Sequence, residues 1–229
     1  MTDRCIMLCR ALAAALLLCA PLGAAGAADM RMAPAYKAPG YPAPVFFSWS
    51  GFYLGVNAGY GFGWSNWTSA AVTTGGFGVN GAVAGGTLGY NVQTGAVVWG
   101  IEADFDWSNI KGSTTTACAG GCQTKNAWLG TGRFRVGYAF DRWLPYITAG
   151  GAYGDIKATS ALGSSSSSEF GWTAGVGLEW AFLANWSAKV EYLYVDLGGG
   201  ACTGACSPVT PVTVDFKTSL VRAGINYRF

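Results

Sequence analysis

Three carboxylates, Glu102, Asp104 and Asp106, fall on alternate positions of one segment, and Arg133 and Arg135 alternate in the same way further along. Asp104 and Asp106 could in principle divide general acid and base work between them. Yet a strand repeats its side chains with a period of two, so any wet strand face that is acidic gives the same spacing. The chain has no His and no nucleophile in a recognisable setting beyond its first residues. No catalytic residue is therefore assigned, and an enzyme is not expected.

Cysteine offers a second chemistry. Cys5, Cys9 and Cys19 crowd the start, leaving Cys118, Cys122, Cys202 and Cys206 in two C-x-x-x-C pairs, CAGGC and CTGAC. In an exported protein these are disulfide candidates, either within each pair or between the two segments, and spacing does not choose between them. A zinc site would need four thiolates to meet across two loops, so no metal ligand is assigned. Gly59, Gly61 and Gly63 resemble part of a phosphate-binding loop, but no Lys or helix follows to complete one. No cofactor is expected.

These residues must be held by strands. Phe52, Leu54, Val56, Ala58, Tyr60, Phe62 and Trp64 alternate with Tyr53, Asn57 and glycines. Ala82 to Val92 alternate likewise. Val97, Trp99, Ile101, Ala103, Phe105 and Trp107 share one face, with the three carboxylates on the other. Trp128, Phe134, Val136, Tyr138 and Phe140 should face outward while Arg133 and Arg135 face inward. The fifth strand, about Trp143 to Ile156, alternates too weakly for its inward face to be assigned, and Pro145 suggests a strand start. Phe170 to Phe182 and Trp186 to Tyr194 alternate clearly, with Glu179, Lys189 and Glu191 on the wet faces. Val221, Ala223, Ile225, Tyr227 and Phe229 form the last stripe, opposed by Arg222.

Long connections are expected at Ser65 to Gly81, Lys111 to Thr124, Ala158 to Ser168 and Gly198 to Val212. Short turns are expected at Gln93 to Gly95, Asp141 to Arg142 and Leu183 to Asn185. Charged residues share one face and large aromatics the other, which is the polarity of a membrane barrel, since carboxylates cannot point at lipid. A soluble ligand-binding barrel would put its apolar face inside. The expectation is an all-β, eight-stranded antiparallel up-and-down transmembrane barrel with long extracellular loops and short periplasmic turns.

The rest of the chain agrees with export. Arg4 and Arg10 precede an apolar run from Ala11 to Ala20, too short to span a bilayer as a helix. Residues 1–28 read as a signal peptide, 29–48 as a Pro-rich periplasmic linker and 49–229 as the barrel. A lipoprotein start at Cys19 is disfavoured by Leu18 before it. A hydrophobic share of 51% with only 11% charged residues comes without any later run of about 18 apolar residues, so helical spans are excluded. From Asp29 onward twelve Lys and Arg face eleven Asp and Glu. That near-neutral balance gives no reason to expect nucleic acid as a partner.

Eight strands enclose an interior that side chains fill, whereas a general-diffusion porin needs about 16. Hairpin geometry predicts Glu179 opposite Lys189, Glu191 near Arg222, and Glu102 and Asp104 near Arg133 and Arg135. Such a lumen charge network braces the barrel. The alternative is a narrow porin whose charged lumen passes small solutes or ions.

The stretch WSGFYLGVNAGY at Trp49 to Tyr60 and the terminal VRAGINYRF resemble the OmpA-like family of small outer-membrane barrels. GIEADFDWS at Gly100 to Ser108, VEYLYVDLG at Val190 to Gly198 and the ADM junction resemble its alphaproteobacterial surface-antigen branch, often called porin family proteins. The resemblance implies outer-membrane location, contact with outer-membrane lipid and lipopolysaccharide, and insertion by the barrel assembly machinery with Phe229 as the assembly signal. It further implies a structural or surface-interaction role in the cell envelope, with an extracellular ligand of unknown identity at the loops. Members with a second, peptidoglycan-binding domain differ from this sequence, which supports no cell-wall tether.

Overall fold

The computed structural model describes residues 47–68, 73–116, 121–161, 163–202 and 212–229, without the side chains of 200–202 and 212. The expected leader and, apart from Phe47 and Ser48, the Pro-rich linker lie outside these residues. So do Cys118, Cys206 and the side chain of Cys202.

Eight strands follow one another: β1 (Gly51–Thr68), β2 (Phe77–Thr94), β3 (Val97–Thr114), β4 (Cys122–Tyr138), β5 (Trp143–Ser160), β6 (Gly163–Ala181), β7 (Trp186–Cys202) and β8 (Val212–Arg228). Each pairs antiparallel with the next, and β8 returns to β1 to close the barrel. Closure matters because an open edge would leave backbone donors and acceptors unpaired in lipid. The seam reaches the last residue, whose N–H donates to the carbonyl of Phe52 at 3.0 Å.

The strand faces follow the alternation. Outward side chains such as Trp99, Ile101, Phe105, Phe134 and Val190 are exposed, as a lipid-facing wall requires. In β5, Leu144, Tyr146, Thr148, Ala152 and Ile156 point inward and are buried, while Ile147 and Tyr153 point outward. Both faces of β5 are thus apolar, which is why its alternation is hard to read in the sequence.

The strands run further than their apolar stripes. β3 carries its outward stripe only from Val97 to Trp107 yet continues to Thr114. A tilted membrane strand needs about 9–11 residues, whereas these have 17 to 19. The expected third long loop at Ala158 to Ser168 is corrected most: β5 reaches Ser160 and β6 starts at Gly163, so the five serines lie in a strand. Parts of the other three expected loops are strand as well. The apolar stripe stops where hydrocarbon stops, but backbone groups still need partners and keep pairing beyond it. At the opposite, turn end, Gln93 remains in β2 and the turn is made by Gly95, at φ 63°, with its neighbour Ala96. Asp141 makes the next turn with φ 53°, a left-handed conformation that Asp tolerates.

The interior is layered along the barrel axis. Toward the loop end, Ile110, Leu129, Ile156, Leu193, Val195, Leu197, Phe216 and Leu220 form a buried apolar plug. Charged and hydroxyl side chains fill the middle. At the turn end, Trp49 folds under the barrel and is buried with Val98, Leu144 and Ala181. Its backbone N–H donates to Gln93 Oε1 at 2.7 Å, and its indole N–H donates to the Asp141 carbonyl at 3.0 Å.

Candidate functional site

Nine ionisable side chains meet at mid-barrel: the carboxylates Glu102, Asp104, Asp106, Glu179 and Glu191, and the cations Arg133, Arg135, Lys189 and Arg222. None is more than 5% exposed. Strand parity places them, with β3, β4, β6, β7 and β8 all contributing. A bulge in β4 between Asn126 and Leu129 resets its parity, so that both residues point inward and Arg133 and Arg135 follow on the same side.

Charges taken out of water are costly unless each is paired and hydrogen-bonded. Arg133 contacts Glu102, lies 2.5 Å from Asp104 Oδ2, and reaches Glu191 Oε2 at 3.0 Å. Arg135 bridges Glu179 Oε2 at 2.7 Å and Glu102 Oε2 at 3.3 Å. Arg222 binds Asp106 Oδ2 at 2.5 Å and Glu191 Oε1 at 2.6 Å, with Asp104 Oδ2 at 3.4 Å. Lys189 Nζ lies 3.1 Å from Glu102 Oε2. Glu102 and Asp104 thus meet the arginines of β4, and Glu191 meets Arg222.

The expected pair of Glu179 with Lys189 needs correcting. Their Cα positions are opposite each other on β6 and β7, but Glu179 is held by Arg135, by the Ser187 hydroxyl at 2.5 Å and by the Asn226 amide at 2.9 Å. Lys189 crosses the lumen instead. In so narrow a barrel a chord is as easily bridged as the gap between neighbouring strands, so hairpin register alone does not assign partners.

Neutral donors complete the network, and these the sequence reading did not single out. The Tyr53 hydroxyl donates to Glu102 Oε2 at 2.7 Å and Tyr146 to Glu191 Oε2 at 3.1 Å. Thr87 donates to Asp104 Oδ1 at 2.7 Å and Thr131 to Asp104 Oδ2 at 3.0 Å. Arg135 also stacks on Tyr146, 4.0 Å from the ring centroid, a favourable cation–π placement. Both rings lie on glycines: a Cβ at Gly89 would strike the Tyr53 ring, and one at Gly177 the Tyr146 ring. Tyr53 was legible on the small, wet face of the first strand; Tyr146 sits on the strand whose faces look alike.

Asp104 and Asp106 do not form an acid and base pair open to a substrate. Both oxygens of Asp104 are engaged, and Asp106 is fully buried against Arg222. Asp106 Oδ1 has no hydrogen-bond partner. Among the described residues no cluster of His, Cys, Asp and Glu is arranged to hold a metal ion. Cys122 is buried in the loop-end plug.

A closed eight-stranded barrel with an apolar outer wall and an ion-paired charged interior defines an outer-membrane β-barrel protein. The chain belongs to the family described as outer membrane protein beta-barrel domain, whose model matches residues 11–229. It is 39% identical over 215 residues to the 31 kDa outer-membrane immunogenic protein of Brucella melitensis biotype 1, covering 82% of this chain and 87% of that one. It is 36% identical over 196 residues to the 25 kDa outer-membrane immunogenic protein of Brucella abortus biovar 1, covering 83% and 86%. The 22 kDa outer membrane protein of Rhizobium leguminosarum bv. viciae is 38% identical over 162 residues, covering 71% and 69%. The alphaproteobacterial branch and the outer-membrane location expected from the sequence motifs are those of these relatives.

Proposed function

We propose that this barrel is a structural element of the outer membrane that presents its loop end to the outside, and that it does not conduct. The observation that carries this reading is the sealed interior: an apolar plug toward the loops, an ion-paired charge layer, and Trp49 beneath. The cavity at the turn-end mouth, between Trp49, Tyr53 and Arg228, has a volume of about 10 Å³, room for one water at most. A narrow pore would have to pass side chains that are at most 5% exposed.

A surface role is supported by the names of the Brucella relatives, outer-membrane immunogenic proteins. Contact with lipopolysaccharide and an extracellular ligand at the loops belong to the same reading. Phe229, exposed on the outward wall beside Tyr227, is the residue that the family resemblance assigns to recognition by the assembly machinery. The four mature cysteines are proposed as disulfides that stiffen the loops. An epitope inserted after Thr115, at the loop end, tests the orientation. Labelling in intact cells is expected; labelling only after permeabilisation would overturn the outward placement.

A further inference from the structure

Lys111, Lys125 and Lys157 stand side by side on the outer wall, in one row across β3, β4 and β5. Lys111 is in register with Lys125, and Lys125 with Lys157. All three are exposed, and none makes an ion pair or side-chain hydrogen bond to another described residue. Residues directly opposite on neighbouring strands lie about 4.5–5.5 Å apart, where like charges repel and destabilise the pairing. The barrel tolerates this twice in succession. The neighbouring carboxylate on this face, Asp155, accepts a hydrogen bond from the Ser166 hydroxyl at 2.7 Å and forms no ion pair with any of the three lysines.

The rows on either side say what faces them. Toward the membrane midplane, Trp107 is in register with Trp128, which stacks on Phe105 at 5.8 Å and meets Tyr153 at 5.4 Å. Such aromatic rings belong at the boundary between hydrocarbon and headgroup. Toward the loop end, Ser113, Gln123, Thr159 and Ser164 make the next cross-strand row. Within the lysine row itself, Asn80 and Ser166 extend the line on β2 and β6. From midplane outward the wall therefore offers aromatic rings, then ammonium groups, then hydroxyls and an amide. That is the order of acyl chain, phosphate and sugar in a phosphorylated glycolipid.

We infer that the Lys111, Lys125 and Lys157 row is a docking site for the phosphate groups of a glycolipid headgroup in the outer leaflet. The inference rests on the reading that the loop end faces outward. Ammonium groups suit phosphate as point charges, and a bound phosphate would offset the repulsion along the row.

Titration of the folded full-length mature chain, in neutral detergent micelles, with bisphosphorylated lipid A and with its dephosphorylated counterpart tests it. Wild type is expected to bind the phosphorylated form about tenfold or more tightly than the dephosphorylated one. The triple variant Lys111→Ala, Lys125→Ala, Lys157→Ala should lose that preference, and the corresponding triple Arg variant should keep it. Equal preference in wild type and the Ala variant overturns the site, as does displacement of lipid A by millimolar inorganic phosphate, which would make it a site for free anions. Heat-modifiable gel migration shows independently that each variant is a closed barrel. Because lipid binding is read in micelles and orientation on cells, failure of the outward reading and failure of the lysine site are separate results.

Discussion

Lys189 and Glu179 occupy opposed positions on neighbouring strands, yet Lys189 Nζ reaches across the barrel to Glu102 Oε2 at 3.1 Å while Glu179 is held by Arg135 at 2.7 Å. The charge layer therefore combines pairs between neighbouring strands, such as Arg133 with Glu102 and Arg222 with Glu191, with chords through the lumen, such as Arg133 with Glu191, Arg222 with Asp106 and Lys189 with Glu102. Each chord ties strands that share no backbone hydrogen bonds.

Removing different chords should have unequal cost. Without Lys189, Glu102 keeps Arg133, Arg135 and the Tyr53 hydroxyl, so Lys189→Met is expected to cost about 1 kcal/mol or less. Without Arg222, Asp106 loses its cation and Glu191 and Asp104 each lose one of theirs. Arg222→Met should cost about 3–5 kcal/mol, the range for leaving buried charge uncompensated. Urea unfolding in lipid vesicles would rank the two, and equal losses would refute the chord account.

The carboxylates should also separate. Five acids face four bases in the layer, and Asp106 is the acid with an unpartnered oxygen, whereas Asp104 accepts from Thr87, Thr131 and Arg133 and lies 3.4 Å from Arg222. Asp106→Asn is expected to be nearly neutral and Asp104→Asn to destabilise by about 1–3 kcal/mol. The same unfolding measurement checks this; a larger loss for Asp106→Asn would mean that the fifth carboxylate charge is needed.

Gly89 and Gly177 carry the Tyr53 and Tyr146 rings. Gly177→Ala pushes its Cβ into the Tyr146 ring and should cost about 1–3 kcal/mol through overpacking. Gly132→Ala, with open space around its Cβ, serves as the control and should be tolerated. A drop in unfolding midpoint for Gly132→Ala as large as for Gly177→Ala would contradict the packing argument.

Much of this fold is written in the alternation. The outward stripes, the inward Glu102, Asp104 and Asp106, and the turn at Asp141 all follow from the period of two and from turn chemistry. The apolar plug does not. Leu193, Val195 and Leu197 point inward beyond Glu191 on β7, so the inner face of one strand changes from charged to apolar along its length, and face polarity ceases to distinguish inside from outside. The serines of β6 fail for a related reason: a strand beyond the membrane is wet on its outer face and pairs through its backbone. Partners such as Lys189 with Glu102 depend on the width of the barrel, which no single hairpin reveals.

The proposed disulfides separate into two outcomes. Peptide mapping without reduction is expected to find Cys118, Cys122, Cys202 and Cys206 all linked, within each C-x-x-x-C pair or between the pairs. Four free thiols in protein recovered from the membrane would sink the proposal.

Planar-bilayer recording of the purified, folded barrel in molar salt tests the sealed interior most directly. The layered plug predicts a silent membrane for wild type, and silence again for Arg133→Ala, since the apolar layers at both ends remain. Stable unitary steps from wild type, altered in size or selectivity by Arg133→Ala, would show an ion path through the charge layer and contradict a closed structural barrel.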